Sequence, residues 1–233
     1  MTEPPLIEFV DVHKRFGDNV VLDGVNLHIY AGEVTSIIGK SGVGKSVLLK
    51  HIIGLMTPDS GRILFSGRPL SSMKKAERRE LKRKFSYMFQ GSALFDSMTV
   101  YENVALPLKE RTRLRDKEIT GKVRDKMEAL DLHDIDGNYP SQLSGGMKKR
   151  VALARALVPE PEIVLFDEPT TGLDPIRKNA VHGMIAEYQK RFGFTGVIVS
   201  HEIPDIFYIS QRVAMIDEGR IQVEPLVDEV FEV

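Results

Sequence analysis

Eight residues near the start of the chain, Gly39-Lys40-Ser41-Gly42-Val43-Gly44-Lys45-Ser46, leave few folds open. Their G-x-x-x-x-G-K-S spacing is that of a phosphate-binding loop between a strand and a helix. Upstream, Val34-Thr35-Ser36-Ile37-Ile38 is a short β-prone run of the kind that forms a buried strand, and downstream Val47 to Leu55 carries a helical pattern. The glycines let the backbone curl without Cβ clashes, so the N–H groups from Gly39 through Val43 and Gly44 turn toward phosphate oxygens while the helix start adds its positive end. Lys45 supplies a point charge there, and the Ser46 hydroxyl a ligand for Mg2+.

At 233 residues and 42% hydrophobic content, the chain suffices for one large α/β domain or a domain carrying a substantial insertion. No run approaches the roughly 18 apolar residues of a membrane span. The N-terminus lacks the basic-then-apolar order of a secretory signal, so the cytoplasm is the expected compartment. There is no cysteine, which excludes disulfides and Cys-ligated zinc. A formal net charge of −1 gives no bulk electrostatic case for binding nucleic acid.

Along the chain, Leu6–Val12 and Val20–Tyr30 alternate apolar and polar residues, as half-buried antiparallel strands do. Phe16-Gly17 falls in the turn between them, where an aromatic either stacks on a nucleobase or plugs the hairpin end. A turn at Pro58-Asp59-Ser60-Gly61 and a strand over Arg62–Phe65 add to this small antiparallel sheet. Lys74–Lys84 holds seven basic residues, yet Glu77 and Glu80 intersperse them and Leu81 gives one packing position, which reads as a solvated helix face. A strand over Phe85–Phe89 ends at Gln90. From about 91 to 155 the pattern turns helical: Met98–Lys109, interrupted at Pro107, then an amphipathic Lys117–Leu132. Ser144 is a good N-cap, and Gly145-Gly146 after it leave backbone N–H groups open to an anion. Ile163-Val164-Leu165-Phe166 runs into Asp167-Glu168, a central parallel strand presenting acid at its C-terminal edge. Gly196–Ser200 repeats that layout and puts His201 at another strand end.

In this order, the phosphate loop, Gln90, Leu143-Ser144-Gly145-Gly146, Asp167-Glu168, Gly172-Leu173-Asp174 and His201 make the chain resemble, from about Leu6 to Val223, the nucleotide-binding subunit of ATP-binding-cassette transporters. The resemblance implies one α/β domain over 1–233, a RecA-like P-loop NTPase core (about 1–90 and 156–233) with an antiparallel β subdomain and an inserted helical subdomain (about 91–155). It implies a homodimer in which two copies sandwich two ATP molecules, each phosphate loop facing Ser144, Gly145 and Gly146 of the other. By motif position, Asp167 binds Mg2+ mainly through water, Glu168 polarises or deprotonates the attacking water, and His201 bonds the γ-phosphate. Gln90 touches the metal or the water, Asp174 sits at the dimer seam, and Phe16 stacks on adenine. Val47 stands where relatives place a hydroxyl, removing one side-chain bond to the α-phosphate.

Lys40, Val47, the run from Phe89 to Val100 and Met147-Lys148-Lys149-Arg150 further resemble the ATPases of Mce-type lipid transporters, including the system that maintains lipid asymmetry. That resemblance implies a subunit peripheral to the cytoplasmic face of the bacterial inner membrane, with integral-membrane permease subunits, a periplasmic Mce-domain protein, and a lipid cargo it does not itself contact. The alternative within the same fold is a regulatory, cell-division-type ATPase that signals through a membrane partner without transport. Soluble cassette ATPases of translation or DNA repair are disfavoured, because they usually carry two cassettes and this chain has one phosphate loop.

Overall fold

A computed structural model of the chain describes residues 4–88, 92–201 and 205–223. Two long strands, β1 (Ile7–Phe16) and β2 (Asn19–Ile29), form a hairpin and are followed by β3 (Val34–Ile38) and α1 (Lys45–Ile52). Then come β4 (Ser60–Phe65), β5 (Arg68–Pro69), α2 (Lys75–Arg83), β6 (Phe85–Met88), α3 (Val100–Arg111), α4 (Asp116–Glu128) and α5 (Gly145–Leu157). The last elements are β7 (Ile163–Asp167), α6 (Pro175–Phe192), β8 (Thr195–Ser200), β9 (Arg212–Asp217) and β10 (Arg220–Val223).

The strands make two sheets, one antiparallel in the order β2-β1-β4-β5 and one of six strands in the order β10-β9-β3-β8-β7-β6. In the larger sheet β9, β3, β8, β7 and β6 are parallel, and β10 closes the edge antiparallel to β9. Period-two alternation divides the central strands between two cores. Ile37, Leu165, Val197 and Val199 join α1 and the antiparallel sheet in one apolar cluster. Ile38, Phe166 and Ile198 face the other way, into a cluster with α3, α4, α5 and α6. Parallel strands covered on both faces are largely apolar, as the Ile163–Phe166 run of β7 and Val197–Val199 of β8 are, while β3 also buries Thr35 and Ser36, the latter bonded to Ser210 at 2.6 Å. Because these strands run the same way, the C-terminal ends of β3, β7 and β8 open onto one edge, where open α/β sheets bind ligands.

α2 buries none of its side chains, and Glu77 and Glu80 pair with Arg68 and Arg83 at 2.9 and 3.0 Å, so the basic run is a solvated face. One expectation fails locally. Pro107 does not interrupt α3, which runs unbroken from Val100 to Arg111. Its missing N–H and ring clash cost about 3 kcal/mol in a helix interior. Val104, Ala105 and Leu108, all essentially buried in the cluster with α4 and α5, offset that cost. α5 likewise runs without a break to Leu157 and touches both α3 and β6.

Candidate active site

The loop after β3 is shaped by close backbone approach. A Cβ at Gly39 would lie 2.4 Å from the Ile216 carbonyl of β9, so only glycine lets the loop leave the sheet at this height. Gly44 has φ 107° and would place a Cβ 2.9 Å from Val21 of β2. It is the N-cap of α1 and contributes no side-chain bond, leaving the first-turn N–H groups of Lys45, Ser46 and Val47 without intrahelical partners. Lys40, Ser41 and Gly42 are exposed on the loop's crest. The Val43 and Val47 side chains pack against the inter-sheet cluster, so these two positions offer a phosphate their backbone alone.

The buried Lys45 ammonium gathers the centre of the site. It donates to the Gly39 and Lys40 carbonyls at 2.7 and 2.9 Å and lies 3.3 Å from Glu168 Oε1. The other Glu168 oxygen accepts from His201 Nδ1 at 2.7 Å and from the Thr171 hydroxyl at 2.9 Å. Glu168 itself is bent into the left-handed region, with φ 49°. That conformation costs on the order of 1–3 kcal/mol for a residue with a side chain. Its N–H bond to the Val199 carbonyl, 3.0 Å, and the Thr171 N–H bond to its own carbonyl, 3.3 Å, hold it there. The bend lifts Glu168 off the strand on which Asp167 still sits.

Asp167 receives two hydroxyls, Ser46 Oγ at 3.2 Å and Tyr87 Oη at 2.6 Å. Burial, then the Asp167 bond and charge, push the Tyr87 phenol well above its ordinary range, so it acts as a donor. Ser46 and Asp167 are hard oxygen donors side by side. Among the described residues no cluster of three or more His, Cys, Asp or Glu could hold a metal. A two-donor oxygen site fits Mg2+, which keeps several waters and takes further ligands from substrate phosphates.

A second group forms around the starts of α5 and α6. Ser144 caps α5, its hydroxyl accepting from the Met147 N–H at 3.3 Å, and Gly145 and Gly146 are exposed in the first turn. Asp174 caps α6, accepting from the Arg177 N–H at 3.1 Å. Gly145, Gly146, Leu173 and Arg177 line a cavity of about 200 Å³ between the two helices. Phe16 ends β1 half exposed, with the Lys14 ammonium 5.7 Å from its ring. Its partner across the hairpin is Asn19, two residues before the Val21 that touches Gly44. Gln90 lies outside the described residues.

Four contributors escaped the sequence reading. Tyr87 and Thr171 grip the two carboxylates. Lys149 of α5 donates to the Pro169 carbonyl at 2.8 Å, and Arg155 of α5 to the Ser92 and Ala93 carbonyls at 2.9 and 2.8 Å. For Tyr87 the sequence carries no signal, because its reach to Asp167 depends on the pairing of β6 with β7. For Lys149, the buried Leu153 one turn on shows which face of α5 is covered.

A phosphate loop beneath a strand-end Asp-Glu pair, with a histidine from the next strand end, defines a P-loop nucleoside triphosphatase. A family model described as ABC transporter matches residues 22–171. The chain belongs to that family, as an ATP-binding-cassette ATPase. It is 35% identical over 227 residues to the intermembrane phospholipid transport system ATP-binding protein MlaF of Haemophilus influenzae, covering 97% of this chain and 86% of that one. The methionine import ATP-binding protein MetN of Rhizobium johnstonii is 38% identical over 97% of this chain, which spans 62% of it. Among solved structures, cbiO1 of Clostridium perfringens, part of the ABC transporter complex cbiONQ, superposes with TM-score 0.89 at 32% identity over 98% of this chain and 91% of that one. A dimeric ATP-binding cassette in a post-hydrolysis state with ADP and Pi superposes with TM-score 0.79 at 30% identity, over 95% of this chain and 98% of that one. The expected P-loop core with its antiparallel sheet is thus the fold the chain adopts.

Proposed function

We propose that the chain is the ATP-hydrolysing subunit of a lipid transporter. Two copies close on ATP and drive separate permease subunits on the cytoplasmic face of a bacterial inner membrane, in phospholipid transport with a periplasmic Mce-domain partner. The observation that carries the enzymatic part is Glu168, bent off its strand and held among Lys45, Thr171 and His201. Among the described residues no helix is long and apolar enough to cross a membrane, in keeping with a permease on other chains. The similarity to MlaF proteins supports the cargo class, and the helices between about 91 and 155, with the segment from Gln90 to Thr99, form the permease-facing subdomain.

The division of labour follows from charge. The N–H groups of Gly39 through Val47 and the Lys45 ammonium hold the β- and γ-phosphates, where a helix start and a cation together favour negative charge. Ser46 and Asp167, with Gln90, would hold Mg2+, which would supply positive charge against the phosphate oxygens. Glu168 takes the proton of a water whose oxygen attacks the γ-phosphorus as the bond to the bridging oxygen breaks, and His201 bonds the γ-phosphate. Phe16 stacks on the adenine. Ser144, Gly145 and Gly146 of the second copy complete the γ-phosphate's surroundings, and Asp174 lies at the seam.

Glu168→Gln tests the chemistry. The variant binds ATP and dimerises, yet hydrolyses it at least about a hundredfold more slowly; wild-type turnover would refute the assignment. Affinity capture from detergent-solubilised native membranes tests the setting. A multi-span permease with an Mce-domain protein and phospholipid supports transport, whereas a division-type membrane partner without lipid replaces it with signalling.

A further inference from the structure

We propose that Lys149 is a positioning residue that ties the start of α5 to the Glu168 turn, so that the helix beginning at Ser144–Gly146 and the catalytic carboxylate move as one unit. The starting observation is a lysine only 9% exposed, on the covered face of α5. Its ammonium donates to the Pro169 carbonyl at 2.8 Å and pairs with no carboxylate among the described residues. Burial alone pushes it below the usual lysine range. An ammonium taken out of water with one neutral acceptor is costly. A methionine would fill the same space without that cost, so packing does not explain the residue.

The acceptor is what gives the contact a purpose. Pro169 follows Glu168 directly, and proline has no N–H, which leaves its carbonyl as the one backbone hook on that residue. On the other side, the Glu168 N–H is anchored to β8 through Val199. Besides the Thr171 bond within the turn, the strained Glu168–Pro169 unit is therefore held from the sheet on one side and from α5 on the other. A displacement of α5 reaches the turn through Lys149, which sits one helical turn beyond Gly145.

This inference rests on the paired-cassette reading above and deepens it. If the first turn of α5 contacts nucleotide bound by the other copy, the same helix reports that contact to its own chain's Glu168. Nucleotide at one site then sets the base at the other, and the two sites fire together.

Lys149→Met and Lys149→Arg in the full chain test it. The Met variant is expected to keep ATP affinity within about twofold while losing about ten- to a hundredfold in turnover, the range that removal of a charged hydrogen bond corresponds to. Its dependence on ATP concentration loses cooperativity, and in the Glu168→Gln background it still dimerises with ATP. Lys149→Arg, which keeps the donor and the charge, restores cooperativity. Wild-type turnover and cooperativity in the Met variant overturn the proposal, as does a parallel fall in ATP affinity and turnover, which marks plain structural damage. Should the Met variant not fold, the Arg variant decides: retained cooperativity supports the tie and its loss overturns it. Failure of the Glu168→Gln chain to dimerise with ATP refutes the paired reading itself and takes this proposal with it.

Discussion

Tyr87→Phe removes one oxygen from the site and leaves the ring in place, so it deletes the hydroxyl's bond to Asp167 with little change in packing. That bond, 2.6 Å to Asp167 Oδ2, has the short length of a charge-assisted hydroxyl–carboxylate hydrogen bond. Bonds of this kind contribute about 1.5–3 kcal/mol. For a chain of this size each kcal/mol shifts the melting temperature by about 2–4 °C, so the variant melts about 3–12 °C lower. The functional consequence is separate from the stability loss. Asp167 keeps the longer Ser46 bond, 3.2 Å, and its carboxylate becomes free to rotate. Nucleotide affinity in excess EDTA stays at the wild-type value, while the Mg2+ concentration giving half-maximal hydrolysis rises about tenfold, the effect of a lost partner behind a metal ligand. Thermal unfolding and a Mg2+ titration at saturating ATP read the two effects independently. An unchanged melting temperature together with an unchanged Mg2+ midpoint would refute the reasoning that Tyr87 orients Asp167.

Gly39→Ala drives a methyl to 2.4 Å from the Ile216 carbonyl, so β9 or the loop must shift; the expected cost is about 1–3 kcal/mol with ATP binding weakened, read by melting and nucleotide titration. His51 is fully buried, donates Nδ1–H to the Val47 carbonyl at 2.8 Å, and is held below the usual histidine range by burial. The unfolded chain takes up that proton below about pH 6.5 and the folded chain does not, so stability falls as pH drops through that value, by at most about 1.4 kcal/mol per unit. His51→Gln removes this slope, and equal losses of urea midpoint between pH 7 and 5.5 in both proteins would contradict it. Arg155→Met deletes the two bonds to Ser92 and Ala93, residues with φ of 71° and 44°. Transport per ATP in proteoliposomes is expected to fall several-fold while hydrolysis changes by less than about twofold.

Features of the site that depend on a few adjacent residues are legible in the sequence. The loop glycines, the apolar run into Asp167-Glu168 and His201 after β8 each follow from a strand ending where the sheet ends. What the sequence hid depends on distant neighbours. Tyr87 reaches Asp167 because β6 and β7 pair with Tyr87 opposite Leu165, a register no local pattern encodes. Lys149 looked like one more charge in the Lys148-Lys149-Arg150 run until α5 settled with that face covered. Pro107 reads as a break in the sequence because the cost of a helical proline is local, whereas the burial that outweighs it comes from α4 and α5.

The place of β3 in the larger sheet has a consequence for how the protein is made. The strand that launches the phosphate loop lies between β9 and β8, whose residues come from the last fifth of the chain. On a ribosome, the loop emerges early but its walls arrive on the order of ten seconds or more later. Throughout that interval both hydrogen-bonding edges of a strand that is fully buried in the finished fold stand open, which makes this stretch of the newborn chain prone to pairing with the wrong partner.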